Sequence, residues 1–204
     1  MLKHTTNQAK GRDTLWTVIL LFTAVFVTEA IAEESPDLSA QHAGHRAIDF
    51  DVVQNGMDFF FEGPVNENGI PAKGTPFVTT GYIYPAGTLT AYGASSGIKS
   101  NGDPEFPELV IGRWICRGWH MQDGDAESGV VVATTQTFDL DEANAGRHMI
   151  VTNGIELAEF NVAFARPITG ASGKFRRFRG QMAQTYLDTN ASGGFNMKFR
   201  ASRR

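Results

Sequence analysis

Glu62 directly follows Phe59, Phe60 and Phe61 in the run FFFEGP. A carboxylate desolvated among aromatic rings stabilises a developing positive charge, or donates a proton when burial raises its pKa. The same glutamate turned to water beside Gly63 and Pro64 does neither, and both readings stand on sequence alone. Cys116 is the single cysteine of the chain. It is either small apolar filler or a polarisable group beside a reacting centre. His42 and His45 with Asp49 and Asp51 have the residue types of a metal site, but the histidines fall in a polar lead-in and no third fixed ligand is evident. Ser95-Ser96-Gly97 lacks the strand-to-helix elbow that exposes a hydrolase nucleophile. Asn190-Ala191-Ser192 fits the N-glycosylation sequon.

The stretch ITGASGKFRRFRGQ, Ile168 to Gln181, sets Lys174, Arg176, Arg177 and Arg179 around Phe175 and Phe178. A basic patch for nucleic acid would serve phosphate neutralisation, yet the chain has a net charge of −4. The better reading is a glycine turn, Gly170 to Gly173, feeding a strand. Arg177, Arg179 and Gln181 then share one face and Phe178, Gly180 and Met182 the other, with most of the charge in solvent.

The elements that must position these residues begin after an export signal. Lys3, Lys10 and Arg12 precede an apolar run, Leu15 to Val27, and Ala30-Ile31-Ala32 forms a cleavage site of the small-x-small kind. The run is short for a membrane span, which needs about 20 residues; an uncleaved anchor is the alternative. Residues 1–32 are expected to be removed, taking three of the 18 basic and two of the 22 acidic residues with them. The expected product is a secreted or periplasmic protein with a flexible lead-in over 33–45 and one domain over 46–204. A single cysteine means that such a domain has no internal disulfide and rests on its core alone.

Beyond the lead-in the pattern is short segments with period-two alternation, separated by Gly, Pro, Asn and Asp clusters. It predicts strands at Ala47 to Val53, Met57 to Glu62, Pro76 to Tyr84, Leu109 to His120, Val130 to Leu140, His148 to Thr152, Glu159 to Arg166, Phe178 to Leu187 and Phe195 to Ala201. Asn55-Gly56, Asn68-Gly69, Asn101-Gly102 and Asn153-Gly154 are read as turns between them. Ala91 to Leu109 is the longest unpatterned connection, a lid, a binding edge or a plain surface loop. With eight or nine strands and no amphipathic helix to cover a sheet edge, the fold class is all-β, a single antiparallel closed barrel or a sandwich.

Residues across the domain carry a family resemblance. ITGASGKFRRFRGQ, Tyr186 and the closing GGFNMKFRAS resemble the turn-and-strand signature of the allene oxide cyclase and dirigent protein barrels. GTPFVTTGYIYPAG, Gly74 to Gly87, is similar to the segment that introduces that superfamily's first long hairpin. VIGRWICRGWHMQDG, Val110 to Gly124, is similar to its cysteine-bearing strand, with Cys116 at the cysteine.

The resemblance implies a roughly eight-stranded antiparallel barrel with an apolar cavity and no metal or redox cofactor. Such a barrel binds a small hydrophobic molecule and dictates the stereochemistry of a non-redox cyclisation, isomerisation or coupling, because holding one folded conformer of a flexible reactant removes part of the barrier. Glu62 takes the position of the cyclases' assisting carboxylate. Cys116, Trp114, Phe59, Phe61, Tyr82, Phe138 and Phe164 become cavity walls. Dirigent proteins instead use aspartate and arginine, for which Arg113, Arg117 and Arg179 are candidates, but alternation sets Arg113 and Arg117 on the face opposite Trp114 and Cys116. The implied partners are a small hydrophobic ligand or substrate and a further copy in a dimer or trimer, with no nucleic acid and no stable membrane span. A lipocalin-like carrier that leaves its ligand unchanged and a structural barrel with a filled interior are the competing functions.

Overall fold

A computed structural model describes residues 47–89, 96–127, 129–157 and 159–202. The expected signal, the lead-in with His42 and His45, and Ser95 lie outside the described residues. Strands β1 (Ala47–Phe61), β2 (Pro76–Pro85), β3 (Gly112–His120), β4 (Val131–Asp139), β5 (Met149–Leu157), β6 (Ala163–Ala171), β7 (Gly180–Thr189) and β8 (Phe195–Ser202) follow one another in an antiparallel meander. β8 pairs with β1 through Val52 to Met197 and Phe50 to Phe199, which closes the barrel and leaves no open sheet edge. The all-β closed barrel expected from the strand pattern and the resemblance is therefore the fold.

Nine expected strands become eight because one Asn-Gly pair read as a turn sits inside a strand, and a second such pair lies inside β5 and lengthens it. Asn55 and Gly56 lie where the register of β1 slips against β2 between Gln54 and Phe59, so the two short segments are one strand with a bulge. Gly56 is required there, since a Cβ on it would lie 2.4 Å from the Ser192 carbonyl oxygen and 2.5 Å from the Gly194 nitrogen. The β7–β8 turn locks onto this bulge: Asn190 Nδ2 donates to the Gln54 carbonyl at 2.8 Å, and Asn190 Oδ1 accepts from Ser192 N at 3.0 Å and Gly194 N at 3.1 Å. The sequon asparagine is thus committed to holding backbone. Asn153 and Gly154 continue β5 instead of ending it, pairing with Thr135 and Thr134.

Alternation decides what enters the barrel. In β3, Gly112, Trp114, Cys116, Gly118 and His120 are buried while Arg113, Ile115, Arg117 and Trp119 are exposed. One end of the interior is packed solid. Phe50, Phe138 and Phe199 form a triangle with ring centroids 4.8 to 5.7 Å apart. The ITGASGKFRRFRGQ stretch completes that end: β6 extends through Ile168 to Ala171, a 3-10 turn follows at Gly173–Phe175, and Phe175 and Phe178 fold inward with centroids 5.6 Å apart. Arg177 and Arg179 stay exposed, as the alternation predicts, and Arg176 is exposed as well although alternation sets it on the Phe178 side; β7 itself starts only at Gly180 and not at Phe178. A second apolar cluster, Val53, Tyr84, Leu89, Ile98 and Leu187, lies on the opposite face of the wall, where part of the long connection after β2 covers it.

Candidate functional site

The other end of the barrel has a different lining. Phe59 stacks on Phe77 at 5.3 Å, Phe164 on Tyr186 at 6.1 Å, and Phe195 meets Tyr186 edge-on at 5.2 Å. Phe59, Phe164 and Phe195 are half-buried, and Phe61 at the rim is exposed. These rings come from β1, β2, β6, β7 and β8, so they ring an aromatic mouth. The connection before β2 and the turn after β3 meet over one side of it, where Gly124 N donates to the Pro71 carbonyl at 2.9 Å and Lys73 N to Asp123 Oδ1 at 2.8 Å.

Beneath the mouth lies a buried polar cluster built by inward positions of four strands. Glu156 of β5 is 3% exposed and Arg166 of β6 is fully buried, with Arg166 Nη1 2.8 Å from Glu156 Oε1. Gln136 Nε2 donates to the same oxygen at 2.9 Å, and the Thr134 hydroxyl bonds it as well. Glu156 Oε2 accepts from the Tyr186 hydroxyl at 2.7 Å and from Gln184 Nε2 at 3.2 Å. The guanidinium is held in turn by Thr152 Oγ1 at 3.1 Å and Thr134 Oγ1 at 2.8 Å. Trp114 Nε1 donates to Gln136 Oε1 at 3.2 Å and ties the wall into the cluster.

A buried pair of this kind is tolerable only because nearly every polar atom has a partner. Around it, proton affinities move in one direction. Burial and then the Glu156 charge push the Tyr186 hydroxyl well above its ordinary pKa, so it stays a phenol. Burial, with Glu156 adding, does the same to the Cys116 thiol, which removes it as a nucleophile and leaves it as a wall. A phenol that donates to a carboxylate presents an electron-rich oxygen lone pair on its other side, suited to accepting a hydrogen bond or facing a developing cation.

Trp114, Cys116 and Phe138 are buried in the barrel interior, Phe138 in its packed end. Phe59 and Phe164 line the mouth, and Phe61 stands at its rim. Tyr82 belongs to the outer cluster, its hydroxyl donating to the Gly102 carbonyl at 3.1 Å and Arg113 lying over its ring. Glu62 is exposed immediately past Phe61 at the end of β1, on the rim. Arg113 and Arg117 point outward. Of the four residues considered for a metal, Asp49 sits 3.6 Å from Arg200 and Asp51 accepts from Leu89 N at 2.8 Å. Sequence reasoning did not single out Glu156, Arg166, Gln136, Gln184 or His120. Their signal was phase: each falls in register with apolar inward neighbours such as Phe138, Ile150, Met182 or Trp114.

Comparison with protein families and with curated protein sequences finds no match. Solved structures do match. The pterocarpan synthase dirigent protein PsPTS1 superposes with a TM-score of 0.53 at 10% identity, over 79% of this chain and 96% of that one. A second pterocarpan synthase dirigent protein, GePTS1, gives 0.49 at 12% identity over 85% and 97%. A pyocyanin demethylase gives 0.48 at 10% identity over 76% and 98%. The chain has the dirigent-like barrel fold.

Proposed function

We propose that this barrel is exported, admits a small hydrophobic molecule through the aromatic mouth, and steers its stereoselective non-redox cyclisation, isomerisation or coupling. The observation that carries the reading is the Tyr186 hydroxyl, 2.7 Å from buried Glu156 and flanked by the rings of Phe164 and Phe195. A planar apolar guest stacks among those rings while the Tyr186 oxygen, polarised by the carboxylate, fixes one polar or cationic atom. Orientation then selects one face for bond formation. Glu62 on the rim is the second carboxylate in reach of a guest, and Cys116 and Trp114 close the floor.

Native mass spectrometry of the secreted protein for co-purifying small molecules, followed by chiral analysis of a reactive substrate, tests this reading. Selective product that turns racemic in Glu156→Gln supports it. Racemic product at every protein concentration sinks stereochemical steering, and a guest returned unchanged makes the barrel a carrier. Loss of selectivity in Glu62→Gln with Glu156→Gln intact moves the chemistry to the rim.

For the further copy that the resemblance implies, we propose the outer wall as the contact. Phe60, Ile115, Trp119 and Ile155 are large apolar side chains exposed on it. Trp119→Glu is expected to lower the sedimentation mass if this wall is the contact.

A further inference from the structure

We infer that His120 is a specificity-determining residue of the mouth, and that it selects a guest bearing a hydroxyl group on its apolar body. The inference rests on the mouth being the binding site. His120 ends the inward row of β3 and is 6% exposed, yet among the described residues neither ring nitrogen has a hydrogen-bond partner. Two orphaned nitrogens at nine-tenths burial are costly, and native structures rarely keep them without use.

Their surroundings are those of the mouth. The imidazole meets Phe77 edge-on at 5.5 Å, and Phe77 stacks on Phe59, whose neighbour at 6.2 Å is the exposed Phe61. An unbroken run of aromatic faces thus leads from the rim to His120. The register places His120 opposite Val132 and Val132 opposite Glu156, all three facing inward. Two strand spacings separate His120 from Glu156, about 10 Å of wall. The side chain between them, Val132, is short and half-buried. A single-ring molecule lying over Val132 therefore reaches the Tyr186–Glu156 dyad with one end and His120 with the other.

The chemistry of the two ends differs. The dyad offers an acceptor and the centre of negative charge. Among the described residues His120 has no acidic or basic partner, and burial favours its neutral form, which carries one donor and one acceptor on one ring. A hydroxyl suits whichever nitrogen it meets, donating to the bare one or accepting from the N–H, whereas a neutral ring brings no charge to offset that of a buried carboxylate or ammonium. Gly124 passes over the imidazole, where a Cβ would lie 4.0 Å from Cε1, so solvent replaces a lost contact poorly.

The experiment measures binding of p-cresol and of toluene to the full chain by ligand-observed NMR, in wild type, His120→Phe and His120→Gln. The ratio of the two affinities cancels the difference in their hydration. We expect that ratio to fall about tenfold in His120→Phe, the loss of one well-placed hydrogen bond, and to be largely kept in His120→Gln, which retains a donor and an acceptor. Toluene affinity equal to or above wild type in His120→Phe shows the mouth intact. An unchanged ratio in His120→Phe overturns the role of His120 while leaving the mouth as the site. Absence of binding by both probes in all three proteins overturns the mouth itself, and this inference with it.

Discussion

Gly154 of β5 faces the Arg166 guanidinium of β6, and a Cβ on Gly154 would lie 3.8 Å from Arg166 Cζ. A side chain longer than a methyl there would enter the space in which the buried cation lies. Because 3.8 Å is ordinary contact, Gly154→Ala should be tolerated. Gly154→Leu has no room without expelling the guanidinium, and an overpacking cost of about 1–3 kcal/mol is expected in urea unfolding.

The ion pair itself is predicted to be strongly non-additive. Glu156→Leu leaves a buried guanidinium without its anion and Arg166→Met the reverse, so each should cost about 3–5 kcal/mol. The double substitution removes both charges together and should cost clearly less than the sum of the singles. A double-mutant cycle by chemical denaturation reads the coupling, and additive costs would mean the charges do not interact.

Much of the fold could be read from the chain, and most of the site could not, for one physical reason. Strand patterning, closure and the inward turn of Trp114 and Cys116 follow from alternation, which each strand reports locally. Glu156 was hidden because Asn153-Gly154 has turn chemistry, so β5 was expected to stop at Thr152 and its glutamate to fall in a loop. A small residue there leaves room for Arg166, which a different strand supplies. Arg166, expected at a strand end, lies mid-strand because β6 runs on to Ala171. Glu62 was conspicuous because its three phenylalanines are contiguous in sequence, whereas the rings that surround Tyr186 arrive from β6 and β8. Local contrast reveals walls, and a polar centre assembled across strands leaves only the phase of single residues.

His120 should make stability depend on pH. Burial holds its pKa below the ordinary 6.5, so below pH 6.5 the unfolded chain binds a proton that the folded chain resists. Stability is therefore complete above that pH and falls as pH drops from 6.5 toward the depressed value. His120→Phe should remove this dependence. It should also relieve the unpaired nitrogens, stabilising the fold at pH 7.5 by about 1–3 kcal/mol. Urea midpoints at pH 5.5 and 7.5 check both.

Cys116 is expected to be inert in the folded protein. Its thiol is buried and its pKa lies well above the usual value, so almost no thiolate exists at neutral pH. Maleimide labelling should proceed at the rate of unfolding and become fast in denaturant. Rapid labelling of the native protein would contradict the wall position.

Phe178 closes the packed end, 7% exposed and edge-on to Phe175. Phe178→Ala should cost about 3–5 kcal/mol by calorimetry or denaturation, the range for emptying a large core site. A negligible loss would show that this end is not sealed by packing.

That seal makes the barrel a pouch and not a tunnel. With Phe50, Phe138 and Phe199 filling one end and Phe175 and Phe178 stoppering it, a guest of the proposed kind that goes in at the mouth must come out the same way. Occupant and newcomer cannot pass each other, so each departure precedes the next arrival. Under the proposed function, turnover in such a vessel is set by how readily the last guest lets go of the rings at the rim.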